Sequence, residues 1–129
     1  MGEILETPVK SYRDLRVWKM SMDMAVDCYG VTKTFPVTEN YGLTSQIRRS
    51  SASIAANIAE GYGREHTSSF IQFLRISQGS LKELETHVIL SERVGLMAVS
   101  DADRLLEQAG DLGKMLRAMI RSLQGKLRR

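Results

Sequence analysis

Lys114, Arg117, Arg121 and Arg128 recur at helical spacing, so on one α-helix they share a narrow arc. A row of fixed cations can follow a sugar-phosphate backbone, each contact releasing condensed counterions and making binding sensitive to salt. Residues 113–129 hold six basic residues and no acid, an asymmetry that points to an acidic partner. Arg48 and Arg49 form a second basic candidate. The ordinary reading of such runs is a solvated face. No aromatic residue interleaves with the row, so recognition here would be of charge and shape, not by base stacking.

Other chemistries find less support. The segment SASIAANIAEGYGR, residues 51–64, places Gly61 and Gly63 where a phosphate-cradling loop could begin. A dinucleotide fingerprint needs a third glycine between a strand and a helix, and a P-loop needs a Gly-Lys-Ser/Thr end; both are missing. A di-metal bundle site needs Glu-x-x-His on two helices, but Leu84 and Gly63 stand three residues before His87 and His66. Cys28 with His87 is a nucleophile pair that the sequence permits, but Cys28 lies on an apolar stripe where cysteine usually packs. No catalytic, cofactor-binding or metal-binding residues are expected, and the chain is read as non-enzymatic.

These residues must be positioned by helices. At 129 residues, 43% of them hydrophobic, with two prolines and a net charge of +3, the composition is that of one ordinary globular domain. The N-terminus lacks the basic start and apolar run of a secretory signal, and no window is long and apolar enough to span a membrane, so a cytoplasmic location is expected. Residues 1–10 read as a flexible arm and 11–129 as the domain. Ser11 and Asp14 have capping-box spacing and open a first helix running to about 34, which Phe35-Pro36 ends. A second runs from about 41 or 44 to 62, with Gly61 and Gly63 suited to a left-handed C-cap. A third runs from about 67 to 94 with a candidate box at Ser69 and Gln72, and Ser100 opens a fourth that lasts nearly to the end. No period-two run marks a strand. Long helices with short connections give an all-α, antiparallel, up-down-up-down four-helix bundle.

The apolar stripes fit this architecture. Leu15, Trp18, Met22, Val26 and Tyr29 share one face of the first helix and are expected in the core, as are Phe70, Phe73, Leu74, Ser77, Leu81, Leu84 and Val88 on the third and Leu105, Leu112, Leu116, Met119, Ile120 and Leu123 on the fourth. The first helix carries a surplus stripe, Val17, Met20, Met24, Cys28 and Val31, nearly opposite the first. One bundle has one inside, so this second stripe is expected to form an oligomer interface that Met24→Glu would disrupt. The second helix has no charge over residues 50–59. Leu43, Ile47, Ile54 and Ile58 face one way and Ala52, Ala55, Ala56 and Ala59 the other, an alanine side on which another helix could lie close. Between them runs a polar seam of Gln46, Ser50, Ser53, Asn57 and Glu60, which must be hydrogen-bonded wherever it is buried.

Several segments together resemble a known family. They are Asp14-Leu-Arg-Val-Trp18, Phe35-Pro36 with Glu39 and Tyr41-Gly-Leu43, Gln46-Ile-Arg-Arg49, Ser53-Ile54, Asn57-Ile-Ala-Glu-Gly61, Gly63-Arg64, Phe70 with Phe73-Leu74, and Gly79-Ser-Leu81 with Glu83 and Glu85. This series is similar to the small bacterial four-helix-bundle proteins also called 23S ribosomal RNA intervening-sequence proteins, over roughly residues 11–97. The resemblance implies an antiparallel bundle assembled as a homopentameric ring or barrel. It also implies a link to insertions in ribosomal RNA genes and to basic accessory proteins of retroelements, hence RNA or DNA as partner, with no catalytic residues. The expected function is a non-enzymatic oligomeric scaffold that binds nucleic acid through basic surface; the alternative is a protein-protein interaction module that binds none.

Overall fold

The computed structural model describes residues 9–128, so the arm expected over 1–10 lies almost wholly outside the described residues. Ser11 forms the expected capping box: its hydroxyl accepts from the Arg13 backbone N–H at 3.1 Å, and the Asp14 carboxylate accepts from the Ser11 N–H at 3.3 Å. The box closes only a 3-10 turn over Tyr12–Asp14, because Leu15 is extended and turns its side chain into the core at 7% exposure. The first helix, α1, therefore spans Arg16–Thr32. It is followed by α2 (Leu43–Gly63), α3 (Thr67–Arg93) and α4 (Val99–Leu127), with no strand among the described residues. Each helix packs against its chain neighbours and α4 closes against α1, which is the up-down-up-down bundle.

The corner between α2 and α3 differs from expectation. Helix α2 continues through both Gly61 and Gly63, and it is Glu65 that adopts the left-handed φ of 58°. Gly61 serves a different purpose: a Cβ there would lie 2.5 Å from Phe73 Cβ, so only glycine admits α3 at this distance. Helix α3 starts at Thr67 with no Ser69–Gln72 box, since residues 67–69 are already inside the helix. It ends, as the sequence indicates, before Gly95, whose φ is +83°.

The α2/α3 seam is built from small residues. The Ser77 hydroxyl donates across it to the Ile54 carbonyl at 3.0 Å, and the Ser53 and Ser80 hydroxyls meet at 2.9 Å. Asn57 Nδ2 donates to the Ser53 carbonyl at 2.8 Å. The polar seam read from the sequence is thus half buried: Ser50 is inside, Ser53 and Asn57 are partly covered and bonded, and Gln46 and Glu60 are exposed. The core stripes of α2, α3 and α4 face inward as expected, with Ile47, Ile54, Ile58, Leu74, Leu81, Leu84, Leu105, Leu112 and Leu116 all excluded from solvent, while Leu43, Phe70, Phe73, Met119 and Leu123 at their margins are only partly buried.

Helix α1 corrects the sequence reading, because its two stripes exchange places. Val17, Met24, Cys28 and Val31, with Met20 partly covered, pack inside the bundle at 0–9% exposure for the four buried ones and have no surface left for a second subunit. Of the stripe expected in the core, Leu15 is buried and Trp18 partly covered, whereas Met22, Val26 and Tyr29 are 39%, 67% and 44% exposed. The angular pattern cannot tell two apolar stripes apart, but side-chain volume can. The inner stripe is flanked by Ser21, Ala25 and Thr32, which fit the close interior. Ser21 and Thr32 bond back to the Val17 and Cys28 carbonyls at 2.6 and 2.7 Å, so burying their hydroxyls leaves nothing unpaired.

Candidate functional site

The basic row of α4 does not stand alone. Arg117 and Arg121 line a recess with Arg75, Gln78 and Gln124, so α3 contributes a cation across from them. A second recess continues upward through Gln78, Gly79, Lys82, Gly113 and Arg117. Together they form a furrow along the α3/α4 boundary. It is open at Gly79, which is exposed and where a Cβ would meet nothing within 4 Å, whereas Gly113 is buried beneath the Arg117 and Leu81 side chains.

The furrow's electrostatics follow from where the acids are. Between residues 67 and 82 on α3 and between 112 and 128 on α4 there is no Asp or Glu, while Arg75, Lys82, Lys114, Arg117, Arg121, Lys126 and Arg128 are present. The acids of α4 lie in its first half, at Asp101, Asp103, Glu107 and Asp111. Among the described residues, Arg75, Lys114, Arg117 and Arg121 have no acidic partner within ion-pair distance; Lys82 has Glu85 at 2.9 Å. Unpaired cations on a low-dielectric wall keep their full attraction for an anion. Arg75 and Lys82 were missed by sequence reasoning, since each is a single charge on α3 and only the antiparallel α3/α4 pairing brings them beside α4.

The second basic candidate divides. Arg48 is committed within the protein: its Nε donates to Thr32 Oγ1 at 2.9 Å and its guanidinium lies 4.7 Å over the Tyr29 ring. Arg49 is exposed and lines a small recess with Gln46, Ser50, Ser53 and Glu83, on the α2/α3 side and away from the furrow. Neither residue extends the cationic row.

On the α1/α2 side lies a groove of about 720 Å³, lined mostly by apolar residues. Trp18, Met22, Val26 and Tyr29 form its α1 wall, Ala52, Ala55 and Ala56 its α2 floor, and Tyr12 one end. Tyr12 and Trp18 meet edge to face with ring centroids 5.3 Å apart. The alanine side of α2 read from the sequence is therefore the floor of this groove, with Ala52 and Ala56 exposed and Ala55 buried. In the cyclic order of the bundle, the α1/α2 side is opposite the α3/α4 side. The apolar groove and the cationic furrow face away from each other.

The reactive candidates do not form a site. Cys28 is fully buried, and burial pushes its thiol up to about 12, so it is protonated at neutral pH. His87 sits on the diagonally placed α3 with Glu83 at 3.9 Å, and its Nε2 has no hydrogen-bond partner. Among the described residues no group of three or more His, Cys, Asp and Glu is placed to hold a metal ion. No described helix is long and apolar enough to cross a membrane.

Comparison with known proteins places the fold and sequence together. The profile of the family described as 23S rRNA-intervening sequence protein matches residues 13–118. The chain belongs to this family. Among solved structures it is similar to a protein with unknown function from the S23 ribosomal protein family of Bacteroides thetaiotaomicron VPI-5482. The two share 24% identity with a TM-score of 0.72, over 81% of this chain and 97% of the other, a likeness of fold. No curated protein matches the chain. As a 23S rRNA-intervening sequence protein, it has the apolar groove except Tyr12, and Arg75, Lys82 and Arg117 of the furrow, within the matched residues, while Arg121 lies beyond them. Lys114 and Arg128 of the basic row line neither recess of the furrow.

Proposed function

We propose that this 23S rRNA-intervening sequence protein is a non-enzymatic, self-assembling scaffold of the cytoplasm that binds RNA or DNA through phosphate contacts. The observation that carries this reading is the opposition of the two faces. Self-association through the α1/α2 groove buries Met22, Val26 and Tyr29 against a second copy, and the alanine floor lets a helix approach closely. The α3/α4 furrow on the far side stays open in every subunit. A homopentamer, which the family resemblance implies, would then repeat the furrow around the assembly.

The test has two parts. Light scattering coupled to size exclusion should give a mass several times 14.5 kDa, and Val26→Glu should reduce it to the monomer with helicity unchanged. Binding of RNA and DNA oligonucleotides should weaken linearly in a log-log plot against salt, with a shallower slope after Lys114→Gln, Arg117→Gln and Arg121→Gln together. A wild-type monomer removes the scaffold. Absence of binding at low salt removes the nucleic-acid partner and leaves the second reading, a protein-interaction module, for which the exposed groove is the supporting observation.

A further inference from the structure

The furrow carries its cations in two rows, and this bears on what form of nucleic acid it fits. Arg75 and Lys82, seven residues apart, stand on the α3 bank; Arg117 and Arg121, one helical turn apart, stand on the α4 bank. Seven residues of helix rise about 10 Å, and neighbouring helix axes lie about 8–10 Å apart. The rows therefore bracket a strip roughly 10 Å wide, about 10 Å long on the α3 bank and about 6 Å long on the α4 bank.

A single strand has one line of phosphates and needs one row of cations. Proteins that hold single strands add aromatic platforms on which the unpaired bases stack. The furrow has none: its lining is Arg, Lys, Gln, Gly, Leu and Ile. The exposed aromatic residues among those described, Tyr29 and Tyr41, belong to α1 and to the connection after it. A duplex presents two phosphate backbones facing each other across a groove, about 6 Å apart across the minor groove of B-DNA and about 12 Å across its major groove. Its bases are stacked already and ask for no platform. Between the rows the furrow offers the side-chain amides of Gln78 and Gln124, able to bond to sugar hydroxyls or groove edges without demanding one sequence.

We infer that the α3/α4 furrow binds double-stranded nucleic acid by placing Arg75 and Lys82 against one backbone and Arg117 and Arg121 against the other, in preference to single strands and with little regard to sequence. This rests on the nucleic-acid reading above and narrows it. It also makes the α3 bank a working half of the site.

Fluorescence anisotropy with four labelled probes of one sequence and length, duplex RNA, duplex DNA and each single strand, tests the inference over a salt series. Wild type should hold at least one duplex roughly tenfold tighter than either single strand at equal salt. Arg75→Gln with Lys82→Gln should lower the duplex salt slope by about 2, as should Arg117→Gln with Arg121→Gln, since each phosphate contact contributes about 0.9. The exposed positions leave the bundle intact, which circular dichroism verifies. Salt-dependent binding in which single strands match or exceed both duplexes overturns the inference and leaves the broader proposal standing. A duplex slope unchanged by the Arg75/Lys82 pair also overturns it. No binding by any probe overturns both.

Discussion

The guanidinium of Arg104 on α4 forks onto the carboxylate of Asp27 on α1, with Nε and Nη2 donating to the two oxygens at 2.9 Å each. Asp101 and Gln108 complete the cluster, accepting from Arg104 Nη1 at 2.9 Å and donating to Asp27 Oδ2 at 3.3 Å respectively. Among the described residues this ion pair alone joins two helices; the others are local pairs within one helix. Asp27 is the handle by which α4 holds the rotation of α1. With it turned toward α4, the neighbouring Val26 is left facing the groove.

The pair gives stability a defined pH dependence. The Arg104 hydrogen bonds hold the Asp27 carboxyl below its ordinary value. A depressed folded-state value means the contribution is present above the unfolded-chain value of about 3.9 and is lost as pH falls through the folded one. Asp27→Asn should cost about 1 kcal/mol at pH 7, the upper range for a partly exposed, bidentate pair. Urea midpoints of variant and wild type should converge as the buffer is taken from pH 5 toward pH 2. A gap that stays constant would show that the carboxylate charge is immaterial.

Two glycines should respond oppositely to the same change. At Gly61 a methyl group collides with Phe73, and Gly61→Ala should destabilise by about 1–3 kcal/mol through overpacking of the α2/α3 seam. At Gly79 a methyl group meets nothing, so Gly79→Ala should stabilise by up to about 1 kcal/mol through helix propensity. Thermal melts of the two variants measure both. Equal responses would mean that the close approach at Gly61 is not maintained in solution.

The exchanged stripes of α1 are tested by one charge placed on each. Met24 is 1% exposed, and Met24→Glu should cost more than about 3 kcal/mol or prevent folding, because the carboxylate would be buried without a partner. Val26 is 67% exposed, and Val26→Glu should leave the stability of an isolated bundle within about 0.5 kcal/mol. Circular dichroism melts at a concentration low enough to keep subunits apart separate folding from association. A folded Met24→Glu protein would restore the outward assignment of that stripe.

Cys28 should be chemically silent. With its thiol pushed up to about 12 and no exposed surface, it is protonated and out of reach at pH 8. Ellman's reagent should react with one thiol per chain in urea and with almost none in native buffer. Rapid native labelling would show that α1 opens readily.

The fold was legible because three helices state their inside without ambiguity. On α3 and α4 one apolar face stands against a polar one, and Ile47, Ile54 and Ile58 mark the inner face of α2. Helix α1 was not, since Trp18 and Tyr29 promise more burial by size than Cys28 and Val31, while the bundle's interior has room only for the smaller set. The glycines of NIAEGYG misled differently. A glycine near a helix end suggests a cap, and only the position of Phe73 shows that Gly61 is there for a neighbouring helix. For the candidate site, Lys114, Arg117 and Arg121 could be found from spacing along one helix. Arg75 and Lys82 could not, because their nearness to that row is a property of pairing across thirty or more residues. Arg48 looked free until its Thr32 and Tyr29 partners were in view.

The narrow α2/α3 seam also sets an order of events in time. Only Arg64, Glu65 and His66 separate the two helices, so bringing them together closes the shortest kind of loop and loses little chain entropy. The small residues along the seam let the backbones meet before any large side chain has to find its rotamer. This hairpin should be the nucleus onto which α1 and α4 condense. Ser77→Ala, which removes the bond to Ile54, should then slow refolding, while Leu112→Ala on α4 should mainly hasten unfolding. Stopped-flow refolding of both variants would give the reverse pattern if α4 were ordered first.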